Sequence, residues 1–76
     1  MTKHELLAYL DETDSADAHQ VAAALGIAYA TAAMALLRIV RQGLADRCLD
    51  DGTPAYWYRL SARGHERLAY YERDDS

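Results

Sequence analysis

The stretch VAAALGIAYATAAMALLRIVRQGL, residues 21–44, predicts two helices joined by a tight turn. The apolar residues that recur at helical spacing are Val21, Ala22 and Leu25 in the first helix and Ala32, Leu36, Ile39 and Val40 in the second. Such spacing gives each helix one buried face. Gly26 favours the left-handed conformation that ends a helix, and Gly43 ends the second helix. Two helices joined by about three residues that include a glycine form a helix-turn-helix.

Capping residues predict where the helices begin. Thr2 and Glu5 have the spacing of a capping box, and so do Asp17 and Gln20. Ala28 is a weaker cap for the third helix, because Ser or Thr is common at that position. The predicted elements are helices over residues 3–11, 18–25 and 29–42, strands over 44–49 and 55–60, and a last helix over 62–71.

The C-terminal half has the pattern of a hairpin followed by a helix. The turn formers Asp50-Asp51-Gly52-Thr53-Pro54 separate two strand-like segments, of which the second is rich in aromatic residues. Ser61 then caps the last helix. The predicted fold class is α+β, with a three-helix core, a two-stranded hairpin and a C-terminal helix in a single domain over residues 1–71. Residues 72–76 are predicted to form a charged, disordered tail.

Size and composition limit the classes of protein to which the chain can belong. Its 76 residues suffice for one domain, and no apolar run approaches the ~20 residues needed to span a bilayer. The single cysteine, Cys48, excludes an internal disulfide and fits a reducing compartment. We therefore expect a cytoplasmic protein with no membrane partner. A domain this small is marginally stable alone, so a homodimer is a reasonable expectation.

The net charge of −4 is distributed unevenly along the chain. Residues 1–37 carry one lysine against five carboxylates, whereas residues 38–67 carry six arginines against four carboxylates. Every arginine lies at or after position 38. This asymmetry predicts one modestly basic face on an acidic body.

The helix-turn-helix and the segment after it resemble known regulators. The residues placed as in the helix-turn-helix of small winged-helix regulators are Leu25-Gly26-Ile27, Thr31, Leu36, Arg38, Ile39 and Gly43-Leu44. Over residues 3–70 the chain resembles the MarR and PadR families. Trp57-Tyr58, Arg59-Leu60-Ser61 and Gly64 are similar to the PadR-type passage from wing to last helix, and Tyr56-Trp57 resembles the wing of PapI-like regulators. The resemblance implies a winged helix-turn-helix fold and transcription regulation through double-stranded DNA.

On this template, the helix over residues 29–42 enters the major groove and the hairpin over residues 45–60 forms the wing. The residues expected to meet base edges are Tyr29, Ala30, Thr31, Ala33, Met34 and Leu37. Arg38 and Arg41 lie further along the helix, within reach of phosphates or a guanine edge. Arg47 and Arg59, on the wing strands, are expected to contact the adjacent DNA backbone.

A second interpretation keeps the fold but changes the partner. Ala30, Ala33, Met34 and Leu37 are apolar where DNA-reading helices commonly carry polar side chains, and Asp50-Asp51 at the wing tip would repel phosphate. The alternative is a protein-interaction module that docks through this helix and binds little or no DNA. The two interpretations differ on whether Met34 and Leu37 are exposed or belong to the core, which the sequence leaves open.

Catalysis has little support in the sequence. His4, His19 and His65 lie on three different elements and lack the spacing of metal ligands. Cys48 stands alone on a strand, where we expect it to be half-buried and inert. The aromatic hairpin has a structural interpretation, in which Tyr58 and Leu60 cover the core and Trp57 is a surface anchor. We therefore expect no enzyme activity, no cofactor and no metal site.

Overall fold

The computed structural model describes residues 2–49, 52 and 56–74, and it contains four helices and one two-stranded sheet. The elements are α1 (Lys3–Thr13), α2 (Ala18–Leu25), α3 (Tyr29–Arg41), β1 (Ala45–Leu49), β2 (Tyr56–Leu60) and α4 (Ala62–Asp74). This order confirms the predicted fold class. Except for Gly52, the turn predicted between the strands lies outside the described residues.

Local capping interactions set the bounds of the helix-turn-helix. The Gln20 backbone N–H donates to Asp17 Oδ1 at 2.8 Å, and the Asp17 backbone N–H donates to Gln20 Oε1 at 3.3 Å. Gly26 ends α2 with φ at +66°, in the left-handed conformation predicted for it. Ala28 provides no side-chain cap for α3, as expected from its methyl group. The capping box at Asp17, the left-handed Gly26 and the weak cap at Ala28 are therefore all confirmed.

Two helices extend beyond their predicted ends. α1 continues to Thr13, two residues past the predicted end, and the Thr13 hydroxyl donates to the Tyr9 carbonyl oxygen at 2.9 Å. α4 continues to Asp74, so residues 72–74 form its last turn rather than a frayed tail. Residues 75 and 76 lie outside the described residues. The helix predicted over residues 62–71 was therefore three residues shorter than α4.

The core is assembled from one face of every element. Its buried residues are Leu6, Leu7, Leu10, Ala16, Ala18, Val21, Ala32, Leu36, Ile39, Leu44, Ala45, Tyr58, Leu60 and Leu68. The predicted pair Tyr58 and Leu60 are both in this set. Since α2 and α3 both contribute to it, the core holds the helix-turn-helix rigidly against the hairpin.

A third backbone segment joins the sheet beside β2. The Ala16 N–H donates to the Tyr58 carbonyl oxygen at 3.0 Å, and the Tyr58 N–H donates to the Ala16 carbonyl oxygen at 2.9 Å. Ala16 is 0% exposed, although the four residues before it, Glu12-Thr13-Asp14-Ser15, are all polar. The bridge attaches the connection between α1 and α2 to the base of the hairpin.

The start of α4 is attached to the turn between α3 and β1. Ser61 Oγ donates to the Gly43 carbonyl oxygen at 2.6 Å and accepts from the Gly64 N–H at 3.1 Å. The Ser61 N–H donates to the Leu44 carbonyl oxygen at 3.1 Å. Ser61 therefore caps α4, as predicted, and also fixes that helix to the end of α3. Gly64 permits the approach, because a Cβ at this position would overlap the Leu44 carbonyl oxygen.

Among the described residues, no single helix has the length and apolar character needed to cross a membrane. Taken together, α2 and α3 have the length and apolar composition of a membrane-spanning segment, but the pair is bent by 114° at the turn between them.

Candidate nucleic-acid interface

The outer face of α3 is the side of the helix opposite Ala32, Leu36 and Ile39, which are buried. This face carries Ala30, Thr31, Met34, Leu37, Arg38 and Arg41. Positions 30, 34, 37 and 41 follow one another along the helix at spacings of four, three and four residues, so their side chains form a single line. The first three of these residues, Ala30, Met34 and Leu37, form an apolar strip, and the line ends at the cation Arg41.

Exposure decides the open question about Met34 and Leu37. The Met34 side chain is 54% exposed, and Leu37 is half-buried. Met34 is therefore a surface residue, whereas Leu37 lies at the boundary between the surface and the core. A groove beside Met34 is lined by Ile27, Ala30, Thr31, Ala35 and Arg38.

The start of α3 carries an aromatic contact that the sequence did not predict. Tyr29 is 52% exposed, and its ring lies 4.4 Å from the His19 ring, centroid to centroid, at an angle of 31°. Ala33, one turn further along α3, is half-buried beside the same groove that Tyr56 and Tyr58 line. The predicted contact residues of α3 are thus divided between its outer face and this aromatic groove.

The cations of the helix-turn-helix have no acidic neighbours in sequence. Arg38 and Arg41 lie in the last turn of α3 and are exposed. Residues 18–45, which include the whole of α2 and α3, contain no aspartate or glutamate, although the chain has 12 of them. The helix-turn-helix is therefore locally basic on a protein of net charge −4.

The register of the hairpin separates the two wing arginines that were predicted to act together. Arg47 pairs with Tyr58, so both side chains lie on the sheet face that covers the core. The Arg47 guanidinium lies over the Tyr56 ring, 4.3 Å from its centroid. Tyr56 and Tyr58 in turn border the groove at the start of α3. Arg47 thus lies on the same side of the hairpin as α3.

Arg59 lies on the opposite face of the hairpin. It pairs with Asp46, and the groove that it lines also contains Asp11, Asp14 and His65. His65 Nδ1 is 3.3 Å from Asp11 Oδ1 across the contact between α1 and α4. The structure therefore places Arg38 and Arg41 in the last turn of α3, Arg47 on the sheet face that faces the start of α3, and Arg59 in an acidic groove behind the hairpin.

The other residues considered for chemistry are dispersed over the fold. His4 packs against Tyr71 with ring centroids 5.7 Å apart, whereas His19 contacts Tyr29 and His65 contacts Asp11. Within the described ranges, no group of three or more His, Cys, Asp or Glu side chains is arranged to hold a metal ion. Cys48 is exposed, in contrast to the half-buried position expected for it. It pairs with Trp57, which is half-buried.

Comparison with known proteins gives a consistent fold. No family model and no curated protein sequence matches the chain. Among solved structures, a MarR-family transcription regulator is 26% identical with a TM-score of 0.88, and the match covers 96% of this chain and 49% of that protein. The YusO protein from Bacillus subtilis is 15% identical with a TM-score of 0.84, covering 88% of this chain and 48% of YusO.

A variant of MarR from E. coli, solved in complex with operator DNA, is 13% identical with a TM-score of 0.83, and the match covers 90% of this chain and 49% of that protein. The chain thus spans about half the length of the structures it matches. Identities this low establish the fold alone. The structural neighbours of this chain are MarR-family transcription regulators, and its fold is their winged helix-turn-helix.

Proposed function

We propose that this chain is a DNA-binding transcription regulator that inserts α3 into the major groove of duplex DNA. The observation that carries the proposal is the exposed outer face of α3 with Arg38 and Arg41 in its last turn, in a segment, residues 18–45, that contains no aspartate or glutamate. The complex of the E. coli MarR variant with operator DNA supports the same role through a shared fold.

The dimensions of α3 suit this role. At about 1.5 Å per residue, Ala30 and Leu37 are separated by about 10.5 Å along the helix axis. The major groove is about 12 Å wide and admits a helix such as α3, so the strip can lie along the base edges. Arg41 lies about 16.5 Å beyond Ala30 along the axis, at the edge of the groove where phosphates are found. The arginines therefore position the helix, and the residues before them face the bases.

The electrostatic contribution is small but measurable. If Arg38, Arg41 and Arg47 each neutralise one phosphate, a plot of the logarithm of the association constant against the logarithm of the salt concentration has a slope of about −2.7 for each protomer. We further propose that the protein acts as a homodimer in the cytoplasm, and that each protomer binds one half-site. Two recognition helices then occupy successive major grooves about 34 Å apart, and the slope doubles.

The test is a polarisation titration against mixed duplex DNA over a series of salt concentrations. The Arg38→Ala/Arg41→Ala variant should bind more weakly to every duplex, and its salt slope should be shallower by about 1.8 per protomer. Arg59→Ala is the matched control, because it removes one positive charge on the opposite face of the hairpin. Equal affinity of the double variant and the unmodified protein would contradict the proposal.

The exposed Met34 favours a second candidate function on the same fold. In this candidate the apolar strip docks on a partner protein, with little or no DNA binding. Met34→Asp should then abolish capture of the partner while the far-UV circular dichroism spectrum stays unchanged. Absence of duplex binding at low salt would favour this candidate over the first.

A further inference from the structure

The apolar strip in the middle of the outer face of α3 consists of Ala30, Met34 and Leu37. These are the residues that the proposed docking places deepest in the groove, and none of them carries a hydrogen-bond donor. We infer that the protein reads thymine through its C5 methyl group, an inference that rests on the proposed function. The preferred duplex is therefore one with thymines at the positions that face this strip.

The chemistry of the major groove accounts for this choice. A G·C pair presents hydrogen-bonding groups there but no methyl group, whereas an A·T pair also presents the thymine methyl group. An apolar side chain over a G·C pair removes water from those polar groups without replacing their hydrogen bonds, which is unfavourable. The same side chain over thymine buries two apolar surfaces against each other. The strip therefore favours thymine for two reasons: covering a G·C pair is unfavourable, and contact with the thymine methyl group is favourable.

Two side chains of the strip have complementary shapes for such contacts. Ala30 adds only a methyl group, so the helix backbone can approach the base edges closely. Met34 is 54% exposed and unbranched, and its flexible thioether adapts to a methyl group at several positions. Leu37 is half-buried, so only part of its side chain is available to the DNA.

The polar residues lie at the margins of the strip. Thr31 lies on one flank of α3, and Tyr29 lies on the other, where its ring contacts His19. Arg38 and Arg41 lie in the last turn, toward the phosphates. Residues 18–45 contain no carboxylate, so an apolar strip with Arg38 and Arg41 beside it complements a polyanion that carries methyl groups in its groove. Duplex DNA is therefore the occupant proposed.

The experiment begins with duplexes selected from a random library by binding to the unmodified protein. Each thymine of a selected duplex is then replaced with deoxyuridine, which removes the methyl group and retains the hydrogen-bonding groups. We expect the affinity to fall about four-fold for each methyl group that α3 contacts, as burial of one methyl group implies. Replacements outside the contacted positions should leave the affinity unchanged.

Protein variants assign the effect to α3. Met34→Ala should bring the ratio of the affinities for thymine and deoxyuridine duplexes toward unity at the positions that Met34 contacts. Because Met34 is exposed, the fold should be retained. Arg41→Ala is the matched control, since it should weaken binding to thymine and deoxyuridine duplexes by the same factor.

Two results would overturn the inference, and they are distinguishable. Salt-dependent binding to selected duplexes that is indifferent to deoxyuridine would refute methyl reading and leave the proposed function intact. Lack of binding to any duplex at low salt would refute both, and would indicate instead that the strip receives a protein partner.

Discussion

Replacement of Gly64 with alanine should destabilise the protein, although the same change within a helix usually stabilises by about 0.5–1 kcal/mol. The reason is the close contact between α4 and the turn before β1. A Cβ at position 64 would overlap the Leu44 carbonyl oxygen and lie 3.0 Å from the Leu44 carbonyl carbon and 3.1 Å from Leu60 Cδ2. Since the obstructing atoms of Leu44 are backbone atoms, a rotamer change cannot relieve the overlap, and α4 must move.

The magnitude follows from what that movement disrupts. Added volume at a packed site costs about 1–3 kcal/mol. The displacement also weakens the hydrogen bonds from Ser61 to Leu44 and Gly43, each worth about 1 kcal/mol. After the gain in helix propensity is subtracted, we expect a loss of about 2–4 kcal/mol in the free energy of unfolding. A domain of this size has about 4–11 kcal/mol in total, so the change is severe.

The assay is urea unfolding of Gly64→Ala followed by circular dichroism, with Gly26→Ala as the matched control. Unlike Gly64, Gly26 has a positive φ, of +66°, and a Cβ there meets nothing within 4 Å. Its replacement should therefore cost only the strain of the left-handed conformation, about 1–2 kcal/mol. A Gly64→Ala protein as stable as the unmodified protein, or more stable, would refute the packing argument for α4.

Further predictions concern the core, the outer face of α3, a helix cap and the sheet. Leu36→Ala should lower the free energy of unfolding by about 2–5 kcal/mol because Leu36 is fully buried, whereas Met34→Ala should change it by no more than about 0.5 kcal/mol; thermal unfolding compares the two. Asp17→Ala should cost about 1 kcal/mol by removing the cap of α2, measured by urea unfolding. Ala16→Pro removes the N–H that donates to Tyr58, and amide exchange should then show reduced protection of the Tyr58 N–H. Unchanged protection there would mean that the bridge contributes little.

The helix-turn-helix was predictable from sequence because its signals are local. The cap at Asp17 and the left-handed residue Gly26 act through hydrogen bonds to residues three or four positions away. Both partners of each interaction therefore lie within one short segment of the sequence. The bounds of α2 agree with the prediction at both ends, and α3 ends one residue earlier than predicted.

Features that join distant segments were missed for the complementary reason. The bridge between Ala16 and Tyr58 connects residues 42 positions apart, and an alanine in a polar segment gives no sign of it. The exposure of Cys48 depends on which side of the hairpin is covered by other elements. Neither the bridge nor the exposure of Cys48 can be predicted from the residues adjacent in sequence.

The candidate interface shows the same division. The sequence by itself determined the helix-turn-helix, its apolar strip and the confinement of arginines to the second half of the chain, because composition and helical periodicity are properties of a single segment. Only the tertiary structure decided that Met34 is exposed and that Arg47 lies on the α3 side while Arg59 faces an acidic groove. Alternate residues of a strand point to opposite faces, and packing of the whole chain decides which face meets α3.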